Sequence, residues 1–590
     1  MRRSTVEKKA ARKNNVKLAV LTGISFAVEL FWLVFSLEYL RGISPTVSVI
    51  MTLLALIVVM VVFARQTRSN FKLVWILLIA AFPVFGVLLY LVVGVNGFVG
   101  TMRKRYLAIE TRLFPYFPDN RDVLSEVTSL DPGVGNECRY IQEYSGYPVY
   151  NDSEATYYPS AEEALESMLT ELAKAEKYIF MEYFAIDHAQ AFGRILNVLQ
   201  ERVEAGVDVR ILYDEFGSVG FVNREFAVDL QKTGIDCRPF NPIVPIFSLF
   251  MNHRDHRKIT VIDGRVAFTG GFNLADEYFN LRTLYGHWLD TGIRIKGPAA
   301  SSFTLIFLEN WNSGRKTNLS ELHPEDFLPL NPGRERHLLP AVGKRFGTEP
   351  GIRKQDPFEF SDWDRKGLLS SRKQRSYERG LRFDTADGSP ALGDGKKVPE
   401  LLKEDDEKGF VQPYADIPLD HEYVGETVYM NVLNDAKNYV YFITPYIAIT
   451  DEMVNCFVLA AKRGVDVRII TPGIPDKKAV YALTRSYYGQ LADAGVRVYE
   501  YTPGFCHAKM CISDDKVATC GTINLDYRSF YHHFENGVFL YRCKAVTDIR
   551  EHFRELFRES EEVTNQYLHE NLTRRLRLSH LILRFLSPLM

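Results

Sequence analysis

The chain has 590 residues, room for two or more domains, and a formal net charge of −2 from 71 basic and 73 acidic residues. Bulk charge therefore gives no reason to expect a nucleic-acid partner. Seven cysteines, odd in number and without a CxxC pair, argue against a disulfide framework or a thiolate zinc site and fit buried thiols in a reducing compartment.

In chain order, the N-terminus is basic, from Arg2 and Arg3 to Lys17. Three apolar stretches follow at roughly 18–40, 43–64 and 73–95, each long enough to cross a hydrocarbon core of about 30 Å. The first contains Glu29 and Glu38 and reads as a retained span or an interfacial segment. The third carries Pro83 and Gly86, which favour a kink or re-entry. Basic clusters at Arg65, Arg68 and Lys72 and at Arg103 to Arg105 make three full spans awkward, because one cluster would lie outside. Residues 1–100 are thus expected to form a membrane segment of two or three transmembrane helices. It should be an anchor separable from a cytoplasmic catalytic region. Residues 101–150, rich in Tyr, Pro and Asp, read as a connector without chemistry of their own.

From Asn151 the pattern becomes β-α-β. Helical periodicity at 161–177 leads into the strand Tyr178–Phe184, and a second helix stops at Gly206 before the strand VDVRILYDE. Residues 411–570 repeat this order, with a helix stopping at Gly464 before VDVRIITPG. Two similar lobes, 151–332 and 411–570, are expected, each a mixed sheet flanked by helices, packed around one site. An apolar, proline-containing stretch before His256 suggests a lip beside that site. Residues 333–410 read as a flexible insert, basic between Arg365 and Arg382, and 571–590 as a basic amphipathic tail suited to an anionic interface.

Each lobe carries the same signature. HRKITVIDGRVAFTGGFN runs from His256 to Asn273, and HAKMCISDDKVATCGTIN from His507 to Asn524. Residues two apart on a strand share a face, so His256 points with Lys258 and His507 with Lys509. The asparagines follow glycine turns and can return their amides to the same pocket. Imidazole, ammonium and neutral amide, supplied twice, suit a phosphodiester: a neutral nucleophile, a proton donor, and cations for the non-bridging oxygens. No metal and no cofactor are needed for that chemistry, and none is expected.

The duplicated pattern resembles the phospholipase D superfamily signature HxKx4Dx6GxxN, and GTINLDYRSF from Gly521 to Phe530 is similar to bacterial cardiolipin synthases. The resemblance covers nearly the whole chain, although the 333–410 insert is longer than that family's usual linker. It implies an α/β fold of two phospholipase D-like lobes, an N-terminal segment of usually two spans, and a bacterial cell-membrane location. It also implies transfer of a phosphatidyl group between two phosphatidylglycerol molecules through a phosphohistidine. Hydrolysis to phosphatidic acid and other phosphodiesterase activities share the same motifs and remain alternatives. The implied catalytic set is His256, Lys258, Asp263, His507, Lys509 and Asp514, with Asn273 and Asn524 on the phosphate. Asp290 and Glu535 would be supporting carboxylates, one per motif. Strand parity turns Asp263 and Asp514 to the face opposite the histidines, which favours a structural role for both. His256 is read as nucleophile and His507 as acid and base.

Overall fold

The computed structural model describes residues 45–65, 68–91, 97–118, 120–223, 225–242, 253–314, 322–328, 409–420 and 422–568, with scattered positions at 31–42 and 583–589. The apolar lip before His256, nearly all of the insert and most of the C-terminal tail lie outside these residues.

The N-terminal helices are α1 (Pro45–Ala64), α2 (Ser69–Ala81) and α3 (Pro83–Leu89). Helix α2 stops because Phe82 leaves the helical region and Pro83 cannot continue the ladder; Pro83 then opens α3, where its missing N–H costs nothing. A Cβ on Gly86 would lie 2.6 Å from the Ile79 Cα, so α3 folds back onto α2 at backbone contact. Ala55, Val58 and Val62 of α1 close this unit against Ile79, Val87 and Tyr90. Its outer surface exposes Leu53, Leu56, Ile57, Met60, Phe63 and Leu73. Among the described residues no helix is long and apolar enough to cross a membrane, so the expected transmembrane helices are not supported. The first apolar stretch lies largely outside the described residues, the second forms α1, and the third is broken into a hairpin.

The connector is also more than a spacer. Helix α4 (Gly97–Leu113) places Tyr106 against Phe534, with ring centroids 5.4 Å apart, and the Tyr106 hydroxyl donates to Asn310 Oδ1 at 2.7 Å.

The first lobe is built from β1 (Glu154–Tyr158), α5 (Ala161–Leu172), β2 (Tyr178–Tyr183), α6 (Gln190–Glu204), β3 (Asp208–Asp214) and β4 (Asp236–Phe240). These are followed by β5 (Arg254–Asp255), β6 (Lys258–Ile262), β7 (Val266–Gly270), β8 (His287–Leu289), β9 (Gly292–Lys296) and α7 (Ala300–Trp311). Its seven-stranded sheet has the order β1-β9-β7-β6-β2-β3-β4. Strand β2 is buried along its whole length, as a strand covered on both faces must be, and so carries the run YIFMEY rather than an alternation.

The second lobe comprises β10 (Phe410–Asp416), α8 (Val424–Asp435), β11 (Tyr439–Ile443), β12 (Ile447–Ala448), α9 (Asp451–Lys462), β13 (Asp466–Pro472), β14 (Arg497–Tyr501) and β15 (Gly504–Cys506). It continues through β16 (Met510–Ser513), β17 (Val517–Gly521), β18 (Leu525–Asp526), α10 (Tyr527–Tyr531), β19 (His533–Tyr541), α11 (Lys544–Arg558) and β20 (Ser560–Glu562). Its main path, β10-β19-β17-β16-β11-β13-β14, repeats the first lobe strand for strand and adds β20 at the edge. The two VDVRI strings occupy equivalent places, each entered through a left-handed glycine: Gly206 at φ 90° and Gly464 at φ 93°. The expected pair of similar mixed α/β lobes is present.

Two short strands cross between the lobes. Strand β5 of the first lobe runs parallel to the start of β19, and β15 of the second runs parallel to β8. The N-terminal unit docks on the second lobe as well. Arg68 donates to Glu426 Oε2 at 2.7 Å, and the hydroxyls of Tyr531 and Thr450 donate to the same buried carboxylate at 2.7 and 2.6 Å. Asn70 donates to the Tyr527 hydroxyl at 2.6 Å, and Phe71 meets the rings of Tyr527, Tyr531 and His532 edge-on. A separable anchor does not fit these contacts, because α10 lies between Asn524 and Glu535 of the second motif. Leaving Glu426 without its cation should destabilise the fold by about 3 kcal/mol. Arg68→Ala is therefore expected to lower the urea midpoint and the turnover together, and deletion of residues 1–100 to abolish turnover. A truncated protein with full activity on detergent-dispersed lipid would restore the anchor reading.

Candidate active site

The cross-lobe strands deliver the histidines. Immediately after β5, the His256 N–H donates to the Phe534 carbonyl at 3.0 Å; immediately after β15, the His507 N–H donates to the Leu289 carbonyl at 2.7 Å. Each pairing sets an imidazole beside the next carboxylate of the opposite lobe. His256 Nδ1 lies 2.9 and 3.1 Å from the two Glu535 oxygens, and His507 Nδ1 lies 2.7 Å from Asp290 Oδ2. With Nδ1–H donating to a carboxylate, Nε2 of each ring carries the free lone pair. The supporting carboxylates were assigned one per motif from sequence; in space each serves the histidine of the other lobe.

The motif lysines fold back on their own histidines. Lys258 donates to the His256 carbonyl and Lys509 to the His507 carbonyl, with Lys509 Nζ also 2.8 Å from His507 Nδ1. Both are almost wholly buried. Asn273 accepts from the Ala185 N–H at 3.1 Å and donates to the Tyr278 hydroxyl at 2.8 Å; Asn524 donates to Asp526 at 3.0 Å. One amide hydrogen of each asparagine is thus committed to the protein, leaving the other for a ligand.

Asp263 and Asp514 are not with this group, which corrects their place in the catalytic set. Each sits beyond its motif strand in a left-handed turn, at φ 53° and 56°. Asp263 accepts from the backbone N–H groups of Glu176, Lys177 and Tyr178 at 2.8–2.9 Å. Asp514 accepts from those of Lys437, Asn438 and Tyr439 at 2.7–2.9 Å. Both strap the motif hairpin to the start of the neighbouring strand, seven residues from the histidine, a span of roughly 23 Å at 3.3 Å per residue.

The glycine turns differ in a telling way. A Cβ on Gly271 would lie 2.0 Å from Asp290 Oδ1 and 2.8 Å from the His507 carbonyl oxygen, so this position has to lack a side chain. Its counterpart is Thr522, whose hydroxyl donates to Glu535 Oε2. The tight corner admits the shorter Asp, and the corner with a hydroxyl holds the longer Glu.

Aromatic rings enclose both histidines: Phe184 at 5.2 Å from His256, and Tyr278, Trp288 and Phe505 at 5.3, 5.6 and 5.9 Å from His507. Burial is accordingly the largest influence on the two histidines, the two lysines and Glu535. Burial and then Lys258 hold His256 well below the usual imidazole range. Burial and Lys509 pull His507 to about 4 although Asp290 works in the opposite direction. Burial lowers Lys258 to about 7 and Lys509 to about 8, and pushes Glu535 well above the carboxylate range. The site without ligand favours neutral imidazoles, and a bound phosphodiester anion would favour restoring protons to the lysines and to His507.

One residue escaped the sequence reading. His533 lies 5.2 Å from the His256 ring, with Nδ1 3.6 Å from Glu535 Oε1. Its place beside Glu535 in HHFEN was the available signal. Among the described residues, His256, His533 and Glu535 are the one group of His, Cys, Asp and Glu side chains close enough to hold a metal ion.

A family profile described as "Cardiolipin synthase, PLD-like domain" matches residues 168–307 and 429–557, and one described as "Phospholipase_D-nuclease N-terminal" matches 50–94. An uncharacterized protein of Streptococcus mutans is 36% identical over 520 residues, covering 88% of this chain and 96% of its own. A cardiolipin synthase of Geobacillus kaustophilus is 28% identical over 544 residues, covering 92% and 93%. Among solved structures, a phosphatidylserine synthase of Haemophilus influenzae aligns with a TM-score of 0.48 at 16% identity, over 76% of this chain and 97% of that one.

Two outcomes follow from the geometry. Gly271→Ala must displace Asp290 from His507, so turnover should fall on the order of 100-fold or more while thermal unfolding stays cooperative; activity within a few-fold of wild type would remove Asp290 from its orienting role. The lysines clamp an anion only while protonated, and that charge is lost as pH rises through 7–8. The ratio kcat/KM should therefore fall on the alkaline side of that window, with kcat falling at higher pH because bound phosphate retains the protons. A profile flat to about pH 9 would contradict the clamp.

Proposed function

The chain belongs to the cardiolipin synthase family of the phospholipase D superfamily, and from that premise we propose that it joins two phosphatidylglycerol molecules into cardiolipin and releases glycerol. The observation that carries the proposal is the pair of buried imidazoles, each with Nδ1 tied to a carboxylate of the opposite lobe and Nε2 free.

His256 Nε2 attacks the phosphorus of the first lipid, and the bond from phosphorus to the glycerol oxygen breaks. His507 gives its proton to that oxygen, and glycerol leaves with phosphatidyl on His256. The free hydroxyl of a second phosphatidylglycerol then passes its proton to His507 and attacks phosphorus, breaking the N–P bond. Lys258 and Lys509, with the spare amide hydrogens of Asn273 and Asn524, hold the non-bridging oxygens as charge develops. The assignment of roles follows the electrostatics. Every principal influence on His256 favours its neutral, nucleophilic form, whereas Asp290 supports a proton on His507. The enclosing aromatic rings keep bulk water from the phosphohistidine, which favours transfer to a lipid hydroxyl over hydrolysis.

The exposed apolar face of α1 and α2 would sit among acyl chains of the bacterial cell membrane, holding the site on the cytoplasmic side at the depth of the headgroups. Through Arg68, Asn70 and Phe71 the same helices brace α10.

A covalent intermediate makes the first half-reaction reversible. Labelled glycerol incubated with enzyme and phosphatidylglycerol is expected to enter the lipid headgroup. Quenched enzyme should carry acid-labile lipid phosphate on His256, and none in His256→Ala. Absence of exchange, with kinetics that require both lipids bound before glycerol leaves, would replace this route by direct transfer.

A further inference from the structure

His533 is a buried imidazole without a job in the reaction above. It is only 7% exposed, and neither ring nitrogen has a hydrogen-bond partner. Leaving such nitrogens unpaired costs about 1–3 kcal/mol, so the position calls for a ligand. Its neighbours define which kind. Glu535 Oε1 lies between two Nδ1 atoms, at 2.9 Å from His256 and 3.6 Å from His533. One donor atom from each of the three residues lies within 4.8 Å of the others. Zinc bonds of about 2.0–2.2 Å in a tetrahedron place ligand atoms roughly 3.3–3.6 Å apart, so small side-chain shifts suffice. Two imidazoles and one carboxylate form a three-ligand set that leaves a fourth position for water or a phosphate oxygen.

We propose that His256, His533 and Glu535 bind a divalent cation of the zinc class, and that its binding switches the active site off. The cation takes the Nδ1 lone pair of the other tautomer: the proton that His256 Nδ1 shares with Glu535 moves, by way of solvent, to Nε2. The imidazole then loses both its orienting carboxylate and the free Nε2 lone pair, so attack on phosphorus stops. Lys258, Lys509 and Arg528 face the same rings and oppose a positive ion. They keep the affinity below that of a closed structural zinc site and the inhibition reversible. The geometry of the site stands apart from the lipid chemistry; the inhibition rests on the phosphatidyl-transfer reading.

The test uses the full-length protein in detergent and two metals. Added Co2+ should give the visible absorption of a tetrahedral nitrogen and oxygen site in wild type, and binding should weaken at least about tenfold in both His533→Leu and His533→Gln. With phosphatidylglycerol as substrate, Zn2+ should inhibit wild type and EDTA should restore it, while EDTA alone leaves turnover intact. His533→Leu should keep turnover in metal-free buffer and lose the sensitive inhibition. Absence of the cobalt spectrum in wild type, or an undiminished spectrum in the folded variants, overturns the site whatever reaction the enzyme performs. A cobalt site with no effect of zinc on turnover overturns the switch alone, and loss of turnover in metal-free His533→Leu does the same by giving His533 a part in the reaction.

Discussion

Everything at the centre of this protein depends on an exchange: each lobe supplies the histidine for one half of the site and the carboxylate for the other. Strands β5 and β15 cross the interface, and a backbone hydrogen bond after each fixes the imidazole beside its partner. Neither lobe can present an oriented imidazole by itself. A buried carboxylate left without its hydrogen-bond donor costs about 1–3 kcal/mol or more, so the pairs also hold the lobes together. Chemistry and assembly thus draw on the same contacts.

The pseudo-symmetry is broken where the two halves of the reaction differ. Thr522 grips Glu535, whereas Gly271 vacates the space that Asp290 occupies. His256 has a third imidazole beside it, and His507 has Tyr278, Trp288 and Phe505. A nucleophile should stay neutral, and an acid should accept a proton once an anion arrives. Burial and the adjacent lysine favour the neutral form of both imidazoles, and Asp290, which opposes them at His507, moves the two apart in that sense. The N-terminal helices enter the same arrangement, since Arg68 and Tyr531 meet on the buried Glu426 a few residues from the second motif.

Much of this was legible in the chain. The repeated HxK spacing and the two VDVRI strings announced two similar lobes, and the glycines before those strings do stop helices. Parity put Asp263 and Asp514 on the far side, where three backbone N–H groups hold each. Local periodicity could not say which carboxylate serves which histidine, because the partners are 279 and 217 residues apart and meet only at the lobe interface. Nor could it show that the N-terminal unit docks on α10, since the Arg68–Glu426 contact spans 358 residues. Hydropathy marked the third apolar stretch, but the break at Phe82 and Pro83 decides its shape. His533 looked like a neighbour of Glu535 in sequence, and only the fold turns it toward His256.

The exchange can be read directly from the histidines. In protein labelled with 15N at histidine, the ring shifts of His256 and His507, assigned by substitution, report tautomer and hydrogen bonding at Nδ1. Asp290→Asn in the first lobe should shift the signals of His507 in the second and leave those of His256 in place; Glu535→Gln should do the reverse. Should each substitution instead disturb the histidine of its own lobe, the crossed pairing is wrong, and with it the account of how the site is built.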